Sequence, residues 1–238
     1  MKTLHYLVAY NIKSQKEIDF IDAASVRLHL KALRSSIDAE QCKLIVGDRK
    51  YEKTDICIIG KFPGVDVDHH AEKWRRIIKS YRDSGAKILL DYTDDHIGQN
   101  SERAQVYKSV VNYVDTCVTS SRQLSGQVKP YFKNIVYIPD PVELEIIRPK
   151  SNLSGEVITL LWFGWGTNLE YLETFLEDYV FDNPVRLIIL TDQQAALYLH
   201  SKLLTFRDNV SIRIAQWSLS NMVASAQLCD ACLIPSDP

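Results

Sequence analysis

Apolar and polar positions alternate along the chain between short runs and helical stripes. LHYLVAY (4–10) is a short apolar run that predicts a buried strand. Residues 22–37, DAASVRLHLKALRSSI, put Val26, Leu30 and Leu33 on one stripe at helical spacing, with Asp22 placed to cap the start. CKLIVGD (42–48) and DICIIGK (55–61) are rich in Ile and Val and bounded by charges, the texture of strands buried on both faces in a parallel sheet. The pattern then predicts a helix over 69–85 ending at Gly85, a strand over 87–92, a helix over 101–114 and a strand over 115–121. A short helix over 121–132 and a strand over 134–141 follow.

Residues 139–156, PDPVELEIIRPKSNLSGE, break this texture with polar residues and prolines at 139, 141 and 149, and read as a linker. The alternation then restarts: strand 157–164, helix 168–180, strand 185–192, helix 193–206, strand 210–217, helix 219–228 and strand 230–235. Repeated βα units give parallel sheets with helices on both faces. The expectation is an α/β protein of two Rossmann-like lobes, 1–148 and 149–238. Each lobe is a parallel sheet flanked by helices. The second has four strands and stops directly after one of them, so it is expected to be truncated.

Composition works mainly by exclusion. The 238 residues are 46% hydrophobic and 24% charged, enough to bury a core. A net charge of −2 lacks the basic excess that meets nucleic-acid phosphates, so no nucleic-acid partner is expected. The basic cluster Lys73, Arg75, Arg76, Lys79 and Arg82 lies in a helical pattern and reads as a solvated helix face. Five cysteines, an odd number and mostly inside apolar runs, read as free buried thiols of a reducing, cytoplasmic compartment. Cys229 and Cys232 have the spacing of a redox pair or half a metal site. They lie at a helix-to-strand passage, not at a helix N-terminus, and no second such pair follows. The first apolar run is too short for export, and no run of about 20 apolar residues predicts a membrane span. Peripheral contact with a membrane stays open.

Chemistry is expected beyond the carboxyl ends of the strands. Phe163-Gly164-Trp165-Gly166-Thr167-Asn168 puts two glycines before a helix, where backbone can approach a ligand and free N–H groups can meet a phosphate. A plain βα turn capped by Thr167 is the other reading. Asp91-Tyr92-Thr93-Asp94-Asp95-His96 gathers like charges that packing alone would not gather. They fit acid–base work or hydrogen bonds to sugar hydroxyls; a capping turn and a divalent-metal site are the other readings. Lys61 ends a strand where it could meet a phosphate or a sugar. Trp217, after Gln216 and before the N-cap candidate Ser218, could stack on a base or sit half-buried beside a turn. His69 and His70 start a helix at the surface. Nucleophile-elbow, phosphate-loop and HExxH motifs are absent.

DICIIGKFPG, a helix and then GAKILLDYTDDH, followed by YKSVVNYVDTCVTSSRQLSGQVKPYFKNIVYIPDPVE, resemble the first lobe of GT-B glycosyltransferases of the retaining, nucleotide-sugar-dependent kind. SVRLHLKAL is similar to that lobe's first helix. WFGWGTNLEYL and IRIAQWSLSNMVASAQLCDACLIPSDP resemble the second lobe. The resemblance implies transfer of a sugar from a nucleotide diphosphate sugar to a saccharide, lipid or protein acceptor in the cleft between lobes. Gly164, Trp165, Gly166, Thr167 and Trp217 would bind the donor. Lys61 and Asp91 would face the acceptor, with Asp94, Asp95 and His96 at the catalytic centre. No metal and no other cofactor is implied. Departures are the glycine-free YNIKSQKE after the first strand, the missing basic pair after 185–191, and a donor-gripping segment that would lie past Pro238, so the residues given fall short of a complete donor site. A nucleotide-sugar epimerase and a non-catalytic binding or scaffolding relative are the alternatives.

Overall fold

A computed structural model of the chain describes residues 1–9, 12, 17, 21, 24–62, 67–142, 157–202 and 209–235. The chain divides into two compact units, Met1–Glu143 and Leu144–Pro238, a boundary inside the 139–156 segment. Residues 143–156 of that segment lie outside the described residues, as do Asp22, Tyr10, 203–206 and 236–238, on which several expected element ends fall.

The first unit holds a six-stranded sheet in the order β2-β1-β3-β4-β5-β6. The strands are β1 (Lys2–Leu7), β2 (Cys42–Gly47), β3 (Ile56–Ile59), β4 (Lys87–Tyr92), β5 (Thr116–Thr119) and β6 (Ile135–Tyr137). Every pairing is parallel. Helices α1 (Ala24–Ser36), α2 (Val67–Asp83), α3 (Glu102–Val110) and α4 (Arg122–Val128) connect them. The expected strand 134–141 shrinks to three residues, because Pro139 and Pro141 have no N–H to give a ladder. The expected helix 121–132 ends at Val128, two residues before Pro130, which cannot continue it.

Alternation along the strands sorts the core into two faces. Leu7, Ile59, Ile88, Leu90 and Tyr92 pack against Trp74 and Ile78 of α2 and Tyr107 of α3. Leu4, Tyr6 and Ile58 pack against Val26 and Leu30 of α1 on the other face. Each such side chain contributes about 1.5–3 kcal/mol by leaving water.

Strand register is pinned by a device that recurs in both units. Asp55, just before β3, donates its N–H to the Thr3 carbonyl of β1 (2.9 Å) and accepts the Thr3 N–H on its carboxylate (2.6 Å). Asp115, before β5, makes the same pair of bonds to Ile88 of β4, each 2.8 Å. Asp230 of the second unit does so with Thr159, at 2.7 and 2.8 Å. A carboxylate thus takes the N–H that the bottom of a neighbouring strand would otherwise leave to water.

The second unit is a four-stranded parallel sheet in the order β10-β7-β8-β9. Its strands are β7 (Ile158–Phe163), β8 (Val185–Thr191), β9 (Val210–Gln216) and β10 (Ala231–Cys232). Helices α5 (Leu169–Asp178) and α6 (Gln193–Lys202) cover one face, with Leu172, Leu176 and Leu199 packed on Trp162, Leu187 and Ile189. Helix α7 (Leu219–Leu228) is capped by Ser218, whose hydroxyl accepts the Asn221 N–H at 3.1 Å. Its Met222 and Ala226 pack with Leu161, Ile188 and Leu190 on the opposite face. The expected strand 230–235 is ordered as a strand over two residues only. Among the described residues no helix is long and apolar enough to cross a membrane.

Candidate functional site

In the first unit the chain runs outward from β1 in both directions along the sheet, so the strand order reverses between β1 and β3. Ligands of open α/β sheets settle beside such a reversal, at the carboxyl ends of the strands. Lys61 follows the end of β3, and the 91–96 segment closes β4 and runs on beyond it.

Strand alternation splits that acidic segment in two. Tyr92 turns to the face of α2 and α3 and is fully buried. Asp91, one residue earlier, turns to the face of α1, where it is 8% exposed. There it accepts the Tyr6 hydroxyl at 2.5 Å and meets Nδ1 of His29 at 2.8 Å. The other ring nitrogen of His29 lies 2.8 Å from Asp140, which follows β6. Burial alone would lower the His29 pKa, but the two carboxylates outweigh it and hold it at about 9. His29 is therefore an imidazolium at neutral pH, a fixed cation rather than a base. Tyr6, His29 and Asp140 were not among the candidate residues. The available signal was His29 three residues after Val26 on the core-facing stripe of α1, an inward place for an ionisable side chain.

A second cluster forms on the other side of β4. Lys61 Nζ bonds Asp94 at 2.7 Å, and His96 Nε2 lies 3.9 Å from the same carboxylate. Burial pushes Asp94 up, but Lys61 more than offsets it and the carboxyl is held below its ordinary range. His96 stacks on Tyr107 of α3, ring centroids 5.5 Å apart and 14° between planes. Burial first, then the nearby Arg103 cation, lowers its pKa, so the ring is neutral at pH 7. Its Nε2 is buried without a hydrogen-bond partner. Asp95 is used by the turn: it accepts the Gly98 N–H at 3.2 Å and the Tyr92 hydroxyl at 3.3 Å. The Tyr92 oxygen in turn accepts the N–H groups of His96 and Ile97, each at 2.7 Å, which fixes the loop that carries His96. So Lys61, Asp94 and His96 come together, Asp95 holds their turn, and Asp91 belongs to the His29 network.

In the second unit, Gly166–Asn168 form one 3-10 turn leading into α5. Close packing explains Gly164, where a Cβ would stand 2.9 Å from the buried Trp162 ring. The Gly166 N–H is given to Asp192 at 2.7 Å, and the same carboxylate accepts the Ala195 N–H at 3.0 Å, capping α6. These bonds, that from Ala195 foremost, hold the Asp192 carboxyl below its ordinary range. Trp165, Thr167, Glu170, Glu173, Asp192 and Tyr198 are among the residues lining an open groove of about 840 Å³. Three carboxylates make this groove unfavourable for a diphosphate, whose charge has the same sign. Trp217 packs on the α7 side of the sheet. Trp217 is thus separated by the sheet from the helices that line the groove.

The cysteines are free; Cys57 and Cys117 are buried, and Cys232 is exposed, contrary to expectation. Burial, then Cys232, raises the Cys229 pKa, the opposite of what a reactive thiolate needs. No cluster of metal-ligating side chains occurs among the described residues.

No family model matches the chain, and no curated protein sequence matches it. Among solved structures, MurG from Acinetobacter baumannii is similar over 98% of this chain and 71% of its own, at 10% identity and a TM-score of 0.53. The lipopolysaccharide outer core galactosyltransferase WaaB gives 13% identity, a TM-score of 0.49 and coverage of 95% of this chain and 71% of its own. The glycosylation-associated Gap123 complex from Streptococcus agalactiae gives 10% identity, a TM-score of 0.40 and coverage of 96% and 46%. The likeness to MurG establishes the fold: two Rossmann-like units in series, GT-B.

Proposed function

We propose that the protein is a glycosyltransferase that moves a sugar from a nucleotide diphosphate sugar to an acceptor in the cytoplasm. The observation that carries this reading is the Lys61–Asp94–His96 cluster at the carboxyl ends of β3 and β4 of a GT-B chain. A carboxylate kept ionised by Lys61 and a neutral imidazole with a free nitrogen suit hydrogen bonding to hydroxyls and stabilisation of developing charge. Lys61 and Asp94 face the acceptor in this reading and His96 the reacting centre. Asp95 holds the turn that carries Asp94 and His96, while Asp91 anchors His29 on the opposite face of the sheet. Trp165, Gly166 and Thr167 line the groove in which this reading seats the donor, Trp217 lies on the other face of the sheet outside that groove, and the reading calls for no metal.

One observation favours a second reading, a non-catalytic relative whose second unit takes a neutral or cationic ligand. Asp192 already occupies the Gly166 N–H, and Glu170 and Glu173 share its groove. Incubation with a panel of nucleotide sugars and an acceptor mixture, with product analysis by mass spectrometry, separates the two. A new glycoside that disappears in Asp94→Asn supports the transferase. Nucleotide binding without turnover, or no binding, supports the second reading.

A further inference from the structure

We propose that Lys61, His96 and Arg103 form a receptor for an oxyanion, a phosphate or carboxylate group carried by the acceptor. Arg103 and Tyr107 are four residues apart on α3 and so share a helix face, and the His96 ring lies flat against Tyr107. Arg103 therefore reaches the neighbourhood of His96. Its Nε and the His96 Nε2 are both buried, and neither has a hydrogen-bond partner. Native proteins satisfy nearly all buried polar atoms, and a buried guanidinium nitrogen is among the costliest to leave unpaired. Two such atoms in one neighbourhood, with the Arg103 charge felt by the His96 ring, mark a place prepared for an acceptor of hydrogen bonds.

The neighbouring carboxylates do not fill that place. Asp95 is spent on the Gly98 N–H, and Asp94 is bonded to Lys61. No ion pair among the described residues engages Arg103. Lys61 and Arg103 balance Asp94 and Asp95, so an arriving oxyanion meets net positive charge once Asp94 turns out to solvent. The guanidinium fork suits the planar or tetrahedral oxygens of carboxylate and phosphate alike. Asp94, whose side chain is 47% exposed, is the group an incoming anion displaces: Lys61 exchanges its carboxylate for the ligand, and His96 donates from Nε2.

That the anion belongs to the acceptor rests on the transferase reading; the binding itself does not. The test is titration of the full 238-residue chain with glucose 6-phosphate, glucuronate and glucose, followed by calorimetry. Binding of either anion, and not of glucose, is expected, and which anion binds identifies the oxyanion. Arg103→Met and Lys61→Met should each weaken it about tenfold or more, and Arg103→Lys less. Melting temperatures without ligand identify variants that stay folded. Anions that bind no better than glucose, or folded Met variants that bind as the parent does, overturn the proposal. Parallel titration with nucleoside diphosphates separates the two claims. Loss of nucleotide affinity along with anion affinity in Arg103→Met also overturns it, since the site would then be the donor's. Anion binding with no nucleotide binding leaves the receptor standing and removes the transferase reading.

Discussion

The His29 ring meets the Asp91 carboxylate at 2.8 Å across the α1–sheet interface, with the Tyr6 hydroxyl closing the other side of the same carboxylate. A histidine whose pKa rises to about 9 on folding stabilises the fold fully below its ordinary value of 6.5, and loses that contribution as pH climbs through 9. The shift corresponds to roughly 3 kcal/mol at most, reduced to about 1–2 kcal/mol because solvent reaches the Asp140 end. His29→Gln should therefore lower unfolding free energy by about that amount at pH 6, with the difference from the parent vanishing near pH 10. Urea unfolding at both pH values checks it; a pH-independent difference would remove the ion pair from the explanation.

Asp192 ties the β7–α5 loop to the start of α6 through Gly166 and Ala195. Its lowered pKa means that this stabilisation is present above the ordinary carboxyl range and fades as pH falls through the folded value. Asp192→Ala should cost about 1–2 kcal/mol, the usual loss for a helix cap. Asp192→Asn removes one negative charge from the groove. If that loop meets a diphosphate, nucleoside diphosphate affinity should rise in the Asn variant, as fluorescence titration would register; unchanged affinity sends the diphosphate elsewhere.

The aspartate clamps predict position-specific acid lability. Asp115 takes the Ile88 N–H at 2.8 Å and pairs with Arg82. Burial raises its pKa, but Arg82 and the Ile88 N–H outweigh that and hold the carboxyl low, so its contribution fades as pH falls below the ordinary carboxyl range. Asp115→Ala should destabilise the first unit by about 1–2 kcal/mol at pH 7 and by less at pH 3. Hydrogen exchange at Ile88 is the local readout, and unaltered protection there would argue against the clamp.

Gly60 closes β3 against β1 with no room for a side chain. A Cβ would lie 2.5 Å from Val8 Cγ1 and 2.7 Å from the Tyr6 ring. Both neighbours are buried, so Gly60→Ala should cost about 1–3 kcal/mol and disturb the Tyr6–Asp91 bond. An unchanged melting temperature would mean that β1 yields more easily than its burial implies.

Much of the fold was legible because βα alternation is written in contiguous runs. CKLIVGD and DICIIGK can be seen as parallel strands without knowing their partners, and the order of Gly164, Trp165 and Gly166 before an amphipathic stripe announces a βα turn. The clamps were half legible: the Asp that opens DICIIG was seen as a boundary charge and those that open DTCVTS and DACLIP only as strand starts, and a bond to a strand far away in sequence cannot be read from a local pattern. The sites were less legible for the same reason. A run of Asp91, Asp94, Asp95 and His96 looks like one cluster until alternation sends Asp91 to the opposite face from Tyr92. His29, Arg103, Asp140 and Asp192 act on partners 62, 7, 111 and 26 residues away. Only for Arg103, close in sequence to His96, could proximity have been guessed.

The transferase reading stands most directly on nucleotide recognition. Thermal unfolding of the 238-residue chain across a panel of nucleoside diphosphates and their sugars, at matched ionic strength, tests it. A rise confined to one base is expected, growing with concentration toward about 2.7 kcal/mol at a hundredfold excess over Kd. A rise equal for all bases and for salt alone, or none, contradicts it.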